Sequence, residues 1–121
     1  MAEARQDASG SFEFLSVVRG YHVYKDIWSP EINEILQCRR DPTNDMDKNC
    51  VAILKNDIVV GHVPREHAKV FSFFIKRGGQ ITVKITGDKQ NKGVGLEIPS
   101  LYIFTGVKKD TVALPSLLKL K

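Results

Sequence analysis

Two polar segments carry side chains that could bind a phosphodiester chain. The first is Asp-Pro-Thr-Asn-Asp-Met-Asp-Lys-Asn at residues 41–49, between two apolar, β-prone runs, and the second is Gly-His-Val-Pro-Arg at residues 61–65. Lysine, arginine, asparagine and histidine side chains can all donate hydrogen bonds to phosphate oxygens. Asp47 is the odd member because a carboxylate repels phosphate. It fits such a site only by accepting a hydrogen bond from a hydroxyl group or a base.

Each candidate also has an ordinary structural interpretation. Asp47 could cap its own turn by accepting from the backbone amide of Lys48 or Asn49. His62 could be a structural histidine, or it could donate to phosphate, better when it is protonated. Lys48 and Arg65 could be solvated surface charges, or they could screen phosphates, in which case binding would fall steeply with salt.

Two aromatic residues near the start of the chain are candidates for base stacking. Tyr24 precedes a predicted loop, residues 25–30, and Trp28 lies within that loop. Stacking of a base on an aromatic ring contributes about 1–3 kcal/mol. Both rings could instead pack in the core or at its rim, and the loop exposes Trp28 unless the fold covers it.

The histidines and cysteines do not predict a metal centre. His22, Cys38, Cys50, His62 and His67 lack close-paired ligand spacing such as Cys-x-x-Cys. The arrangement for catalysis that stays open is a nucleophile–base pair of Cys50 with His62. No glycine-rich phosphate loop of the Walker type is present. We therefore predict a non-enzymatic protein without a metal or cofactor.

Length and charge narrow the class of protein. The chain has 121 residues, enough for one domain with its own core, and a net charge of +4. Residues 1–75 carry nine Lys/Arg and eleven Asp/Glu, whereas residues 76–121 carry nine and three. A basic second half suits an anionic partner, although scattered solubilising lysines would give the same count. Without a secretory signal or a membrane-length apolar run, two isolated cysteines indicate a reducing, intracellular setting.

The hydrophobic pattern is mainly that of short β-strands. Apolar residues alternate in several runs, and one stretch has helical spacing. Pro99 in the last run predicts an edge, a bulge or a break there. We predict strands at 12–18 (resuming at 21–24), 32–40, 50–54, 58–63, 81–86 and 96–105, and one helix from Pro64 to Gly78-Gly79 with Val70, Phe73 and Phe74 on its core face.

These elements predict a mainly β fold of about six strands, closed as a small barrel that the central helix plugs at one end. Residues 12–106 would form this domain. Residues 1–11 are polar and predicted to be disordered. Residues 107–121 are predicted as a basic tail or linker, although their leucines could pack as a short C-terminal helix.

The segment from Ile35 to Gly61 resembles the HIRAN domain. That family's signature has a strand ending near Arg-Asp-Pro, then Asn-x-x-aromatic-Asp-Lys-Asn-Ala, then Val-Gly-His or Val-Gly-Tyr, and here residues 40–50 and 60–62 match most of it. The resemblance can be followed from about Phe14 to Gly106. It implies an OB-like β-barrel, found in helicase-like Swi/Snf-type fork remodellers, that binds single-stranded DNA at a free 3′-hydroxyl end.

The resemblance also implies roles for single residues. The aspartate that bonds the terminal 3′-hydroxyl falls on Asp47, and the histidine after Val-Gly falls on His62. The lysine three positions later falls on Arg65, and an asparagine of the turn falls on Asn44. Two aromatic positions of the family hold Met46 and Leu96 here.

The sequence therefore predicts a monomeric nuclear module for single-stranded DNA or DNA 3′ ends, in a repair or replication-fork context. The resemblance also implies a helicase-like neighbouring domain as a partner. The alternative is a protein-interaction module on the same barrel that has lost the DNA groove, which the aliphatic residues at aromatic positions favour. The predicted DNA-binding residues are Tyr24, Trp28, Asn44, Asp47, Lys48, His62 and Arg65.

Overall fold

The structure is a computed structural model that describes residues 9–45, 47–91 and 95–119. No helix within these ranges is long and apolar enough to cross a membrane. The elements are β1 (Ser9–Val18), α1 (Tyr21–Tyr24), β2 (Ile35–Arg40), β3 (Val51–Lys55), β4 (Ile58–His62), α2 (Arg65–Lys76), β5 (Gln80–Ile85), β6 (Gln90–Asn91), β7 (Leu96–Val107) and α3 (Lys108–Leu117).

The strands form one antiparallel sheet in the order β1-β7-β5-β2-β3-β4, with β6 paired to β7 beside this path. The sheet curls until Arg19, just after β1, forms an isolated bridge with His62, the last residue of β4. Within the described residues the two outer strands meet at this bridge alone, so the barrel is not closed along its length. The predicted mainly β, OB-like architecture with a central helix is confirmed, in an open form.

Local sequence explains several of these elements. In β5, Ile81, Val83 and Ile85 are buried and alternate with outward-facing polar residues, as a strand with one core face requires. The turn between β3 and β4 has positive φ angles at Asn56 (51°) and Asp57 (67°). Asparagine and aspartate tolerate this conformation, so they can stand in for glycine in a two-residue hairpin turn.

The core face of α2 differs from the predicted one. Phe71 and Phe74 are buried, and the ring centroid of Phe71 lies 4.7 Å from that of Phe104 in an edge-on contact. Phe73 is 52% exposed and Val70 is half-buried. The prediction that Phe73 lies in the core is wrong, because the helix is rotated to direct Phe71 into the sheet.

Residues 21–24 form a single helical turn, α1, so the prediction that they continue the first strand is wrong. Gly20 adopts a left-handed conformation, with φ of 80° and ψ of 5°, that glycine reaches without strain. It turns the chain at the end of β1. Tyr21 then points inward and packs edge-on against Trp28, with 5.7 Å between the ring centroids.

The folded domain extends beyond the predicted bounds of residues 12–106 at both ends. β1 begins at Ser9, so residues 9–11 belong to the sheet, and residues 1–8 lie outside the described residues. At the other end, α3 packs against β1, and it buries Leu114 and, just beyond its end, Leu118. Of the two interpretations of this tail, the structure has the packed helix over Lys108–Leu117, and residues 120–121 lie outside the described residues.

Pro99 lies in a central strand and not at an edge. β7 pairs with β1 on one side and β5 on the other, but the pairing with β5 stops at Ser100. Just beyond that point, the Pro99 carbonyl accepts a hydrogen bond from the Thr86 amide at 2.9 Å. Proline is tolerated there because the strand pairing ends where its missing N–H would be needed.

Candidate nucleic-acid interface

Three neighbouring strands end at the same edge of the sheet and place the polar residues there. The register pairs Arg40 of β2 with Val51 of β3, and β3 in turn pairs with β4 up to His62. Asp41 and Cys50, which directly follow β2 and precede β3, therefore lie beside His62. A backbone hydrogen bond of 2.8 Å from the Asp41 amide to the Cys50 carbonyl fastens the base of the loop.

The loop from Asp41 to Cys50 is held by its own hydrogen bonds. The Asp47 amide donates to Asn44 Oδ1 at 3.2 Å, and the Cys50 amide donates to the Asp47 carbonyl at 3.0 Å. Asp47 Oδ1 accepts from the Asn49 amide at 2.9 Å, which is the turn-capping role predicted as its structural alternative. These bonds fix the position of the Asp47 carboxylate.

The loop and the start of α2 enclose an open cleft of about 160 Å³. Four of the seven predicted site residues line it, although they come from two segments about 15 to 20 residues apart. Lys48 is exposed on the same loop. The lining consists of Asn44, Asp47, Cys50, His62, Val63, Arg65 and Ala68.

Tyr24 and His62 form a half-buried pair beside the cleft. Their ring centroids are 6.1 Å apart, with 49° between the ring planes. Burial lowers the pKa of His62, and the negative charge of Asp41 offsets part of this effect. Burial and the nearby Cys50 and Asp41 raise the pKa of Tyr24. Both side chains are therefore mainly neutral at neutral pH, and each can donate a hydrogen bond.

Trp28 is a core residue and not an exposed platform. Its side chain is 2% exposed and packs against Tyr21. Its indole Nε1 donates to Glu34 Oε1 at 3.2 Å, which satisfies the polar group of the ring. The sequence did not decide whether Trp28 is exposed or packed in the core. The structure buries it, so no face of its ring is available for a base.

The glycine before His62 has a steric reason. A Cβ atom at Gly61 would lie 2.5 Å from Val18 Cγ1 and 3.1 Å from the Arg19 carbonyl oxygen. Only glycine lets β4 approach the end of β1 this closely. That approach permits the bridge between Arg19 and His62, which sets where the histidine side chain leaves the backbone.

Arg19 is a residue that sequence reasoning missed. Its guanidinium donates to Glu97 Oε2 and to Glu66 Oε1, each at 2.7 Å. Glu97 is buried and Glu66 lies in the first turn of α2, so Arg19 ties the sheet to the helix that carries Arg65. The partners are distant in sequence, so no local pattern could have indicated this network.

Asp41, Cys50 and His62 lie close together in the structure, although they are far apart in the sequence. Their ligand-type atoms all lie within 4.8 Å of one another. Burial and the charges of Asp41 and Asp47 raise the pKa of the Cys50 thiol. A protonated thiol is a poor nucleophile, which weighs against the Cys50–His62 catalytic pair that the sequence left open.

At two positions where the resemblance implies aromatic residues, this chain has Leu96 and Met46. Leu96, at the start of β7, pairs with Asn91 of β6 and packs half-buried against the core. Met46 lies outside the described residues.

The fold and the cleft define a class of small antiparallel β modules with a polar cleft at the end of an OB-like sheet. The chain belongs to the HIRAN domain family, whose sequence model matches residues 9–102. This match spans the strands β1 to β5, the helix α2 and most of β7. No curated protein matches the sequence.

Solved structures share this fold. The crystal structure of the HIRAN domain of human HLTF is 25% identical, covers 94% of this chain and 93% of its own, and has a TM-score of 0.70. The NMR structure of the HLTF HIRAN domain in its DNA-bound conformation is 20% identical and has a TM-score of 0.66. The match covers 98% of this chain and 99% of the HLTF chain. The crystal structure of a protein from Lactobacillus plantarum is 14% identical and has a TM-score of 0.59. The match covers 79% of this chain and 98% of the other.

Proposed function

We propose that this HIRAN domain binds single-stranded DNA and recognises its free 3′-hydroxyl end in the cleft beside His62. The observation that carries the proposal is the convergence of Asn44, Asp47, His62 and Arg65 on one cleft. Membership of the HIRAN family supports it, because an HLTF HIRAN domain has been solved in a DNA-bound conformation.

The phosphates are held by cations and neutral donors. Arg65 and the exposed Lys48 supply positive charge, and counterion release makes this part of the affinity dependent on salt. His62 donates from its imidazole. Tyr24 stacks on a base or donates from its hydroxyl group, and it is the stacking residue that remains among the predicted aromatics because Trp28 is buried.

Asp47 distinguishes an end from the interior of a strand. A terminal hydroxyl group can donate to its carboxylate, and a hydrogen bond to a charged group contributes about 1.5–3 kcal/mol. A continuing strand or a 3′-phosphate would place a negative charge there instead. Because the hydrogen bond with Asn49 fixes this carboxylate, it cannot turn away to relieve that repulsion without losing its turn contact.

Fluorescence anisotropy with short 5′-labelled oligonucleotides tests this function. The wild-type protein should bind a 3′-hydroxyl strand at least about tenfold more tightly than the same strand with a 3′-phosphate, as expected for one hydrogen bond to a charged group. Asp47→Asn should lose most of this preference. Asp57→Asn is the matched control, because Asp57 is exposed at the opposite end of the β3–β4 hairpin and its φ of 67° suits asparagine.

Equal affinity of the wild-type protein for the two strand ends would remove the end-recognition part of the proposal. Loss of preference in both variants would show a general charge effect and not a role of Asp47. The proposal places the domain in a nuclear, repair or replication-fork context, as a monomer that binds and does not catalyse. A helicase-like neighbouring domain would supply any motor activity.

A protein-interaction module is the second candidate function, and one surface favours it. An apolar groove of about 220 Å³ lies along α2, where Phe73 is 52% and Leu117 is 46% exposed. Lys69 and Lys76 also line it, so it suits a partner segment with apolar side chains flanked by carboxylates. A heparin column followed by a salt series with oligonucleotides separates the two candidates. Absent or salt-insensitive DNA binding favours the interaction module.

A further inference from the structure

We propose that Asp41, Cys50 and His62 form a binding site for one Zn²⁺ ion. The three residues offer one carboxylate oxygen, one sulfur and one imidazole nitrogen, all within 4.8 Å of one another. Thiolate and imidazole are the ligands that zinc prefers, and a carboxylate is its third common ligand in proteins. Cys50 and His62 also line the cleft proposed for DNA, so the two sites adjoin, but the test of the metal site needs no DNA.

The backbone brings these ligands together before any ion binds. Each residue lies at the end of a different strand, and the three strands are neighbours in the sheet. The Asp41 amide donates to the Cys50 carbonyl at 2.8 Å, and the Arg19 bridge holds His62 from the other side. Ligand atoms around a tetrahedral Zn²⁺ lie roughly 3.3–3.8 Å apart. Side-chain rotations that move the ligand atoms by about 1 Å are therefore enough to bring them to the spacing of a zinc site.

Neighbouring groups orient two of the three ligands. Thr43 Oγ1 donates to Asp41 Oδ1 at 2.8 Å, and Asn44 Nδ2 lies 3.6 Å from Cys50 Sγ as a donor. Hydrogen bonds of this kind fix ligand geometry and tune metal affinity. Cys50 is buried while Asp41 and His62 are partly exposed, and Cys50 and His62 line the open cleft, so solvent can reach the site and a water molecule can supply a fourth ligand.

Charge also favours a cation at this place. The negative charges of Asp41 and Asp47 lie near Cys50, where they add to the effect of burial in raising the pKa of the thiol. Zn²⁺ binds the thiolate, so the thiol proton is released to solvent when the ion binds.

A Co²⁺ titration of the untagged protein tests the site, because Co²⁺ adopts the zinc geometry and reports a bound thiolate by a charge-transfer band in the near ultraviolet. One Co²⁺ per chain should bind with this band and with strong visible bands, and one equivalent of Zn²⁺ should bleach both. Cys50→Ala should abolish the charge-transfer band. Cys38→Ala, which changes the other cysteine, should leave the band intact.

Calorimetry with Zn²⁺ extends the test to the other two ligands. Asp41→Asn and His62→Gln should each weaken Zn²⁺ binding by at least about tenfold. Alanine occupies the Cys50 position in the family signature, so Cys50→Ala should fold, and its circular dichroism without metal checks this. A wild-type protein without the charge-transfer band, or a band that survives Cys50→Ala, would overturn the proposal.

Discussion

The backbones of Arg19 and His62 exchange two hydrogen bonds, from Arg19 N to His62 O at 2.9 Å and from His62 N to Arg19 O at 2.8 Å. This bridge links β1 and β4, which lie at opposite ends of the strand order. It places a residue of the cleft opposite a residue far away in sequence. The position of His62 therefore depends on how closely β4 approaches β1.

Gly61→Ala should disturb this approach, because the new Cβ atom would lie 2.5 Å from Val18 Cγ1. We expect a loss of about 1–3 kcal/mol in the free energy of unfolding, as for other overpacked sites. Chemical denaturation measures it. If the clash with Val18 is the cause, Val18→Ala should cost less stability in the Gly61→Ala background than in the wild type. Strictly additive effects of the two substitutions would contradict this explanation.

The pH dependence of stability follows from the lowered pKa of His62, whose main cause is burial. As the pH falls through the ordinary value of 6.5, the unfolded chain takes up a proton before the folded protein does. The folded protein therefore loses stability below that pH, until the pH has fallen through the folded-state pKa. His62→Gln should flatten this part of the stability curve, measured by urea denaturation across the acid range.

DNA affinity should change with pH in the opposite direction. A phosphate beside His62 stabilises the imidazolium form, so its pKa is higher in the complex and affinity rises as the pH falls from about 8 to about 6. Anisotropy titrations measure this slope. His62→Gln should remove it, whereas His67→Gln should keep it, because His67 packs on Phe14 with a ring separation of 5.0 Å. A pH-independent affinity in the wild-type protein would contradict a phosphate contact that favours the imidazolium form of His62.

Substitutions of Tyr24 and Trp28 should have different effects, the first on DNA affinity and the second on stability. Tyr24→Ala should weaken DNA binding by about 1–3 kcal/mol, the contribution of one stacked base. Trp28→Phe should lower the free energy of unfolding, because it removes the hydrogen bond from the buried indole to the partly buried carboxylate of Glu34. Its affinity for DNA, measured by anisotropy well below the melting temperature, should stay within about twofold of the wild type. A larger loss of affinity would mean that Trp28 leaves the core to bind.

Substitutions in α3 test whether this helix belongs to the domain. Leu114 is 1% exposed, so Leu114→Ala should cost about 2–5 kcal/mol in the free energy of unfolding. Leu117 lies on the same helix and is 46% exposed, so Leu117→Ala should cost less than about 0.5 kcal/mol. Thermal and chemical denaturation compare the two variants. Equal effects would mean that α3 does not pack as described.

The sequence by itself determined the elements whose signals are local. The strand β5, the short break between β3 and β4 and the end of α2 at Gly78-Gly79 were all predicted correctly. Each depends on residues within a few positions, where periodicity, turn conformation and helix termination act. The match of residues 40–50 and 60–62 to the HIRAN signature likewise identified the family, which its sequence model confirms.

The tertiary structure alone decided which side chains are exposed and which meet. Trp28 is buried by Tyr21, Phe73 is turned outward by the rotation of α2, and the Tyr21–Tyr24 segment becomes helical after the turn at Gly20. Asp41, Cys50 and His62 meet because the ends of three strands lie side by side. Such contacts join residues far apart in sequence, and their free energies come from packing the whole chain, so no local pattern carries them.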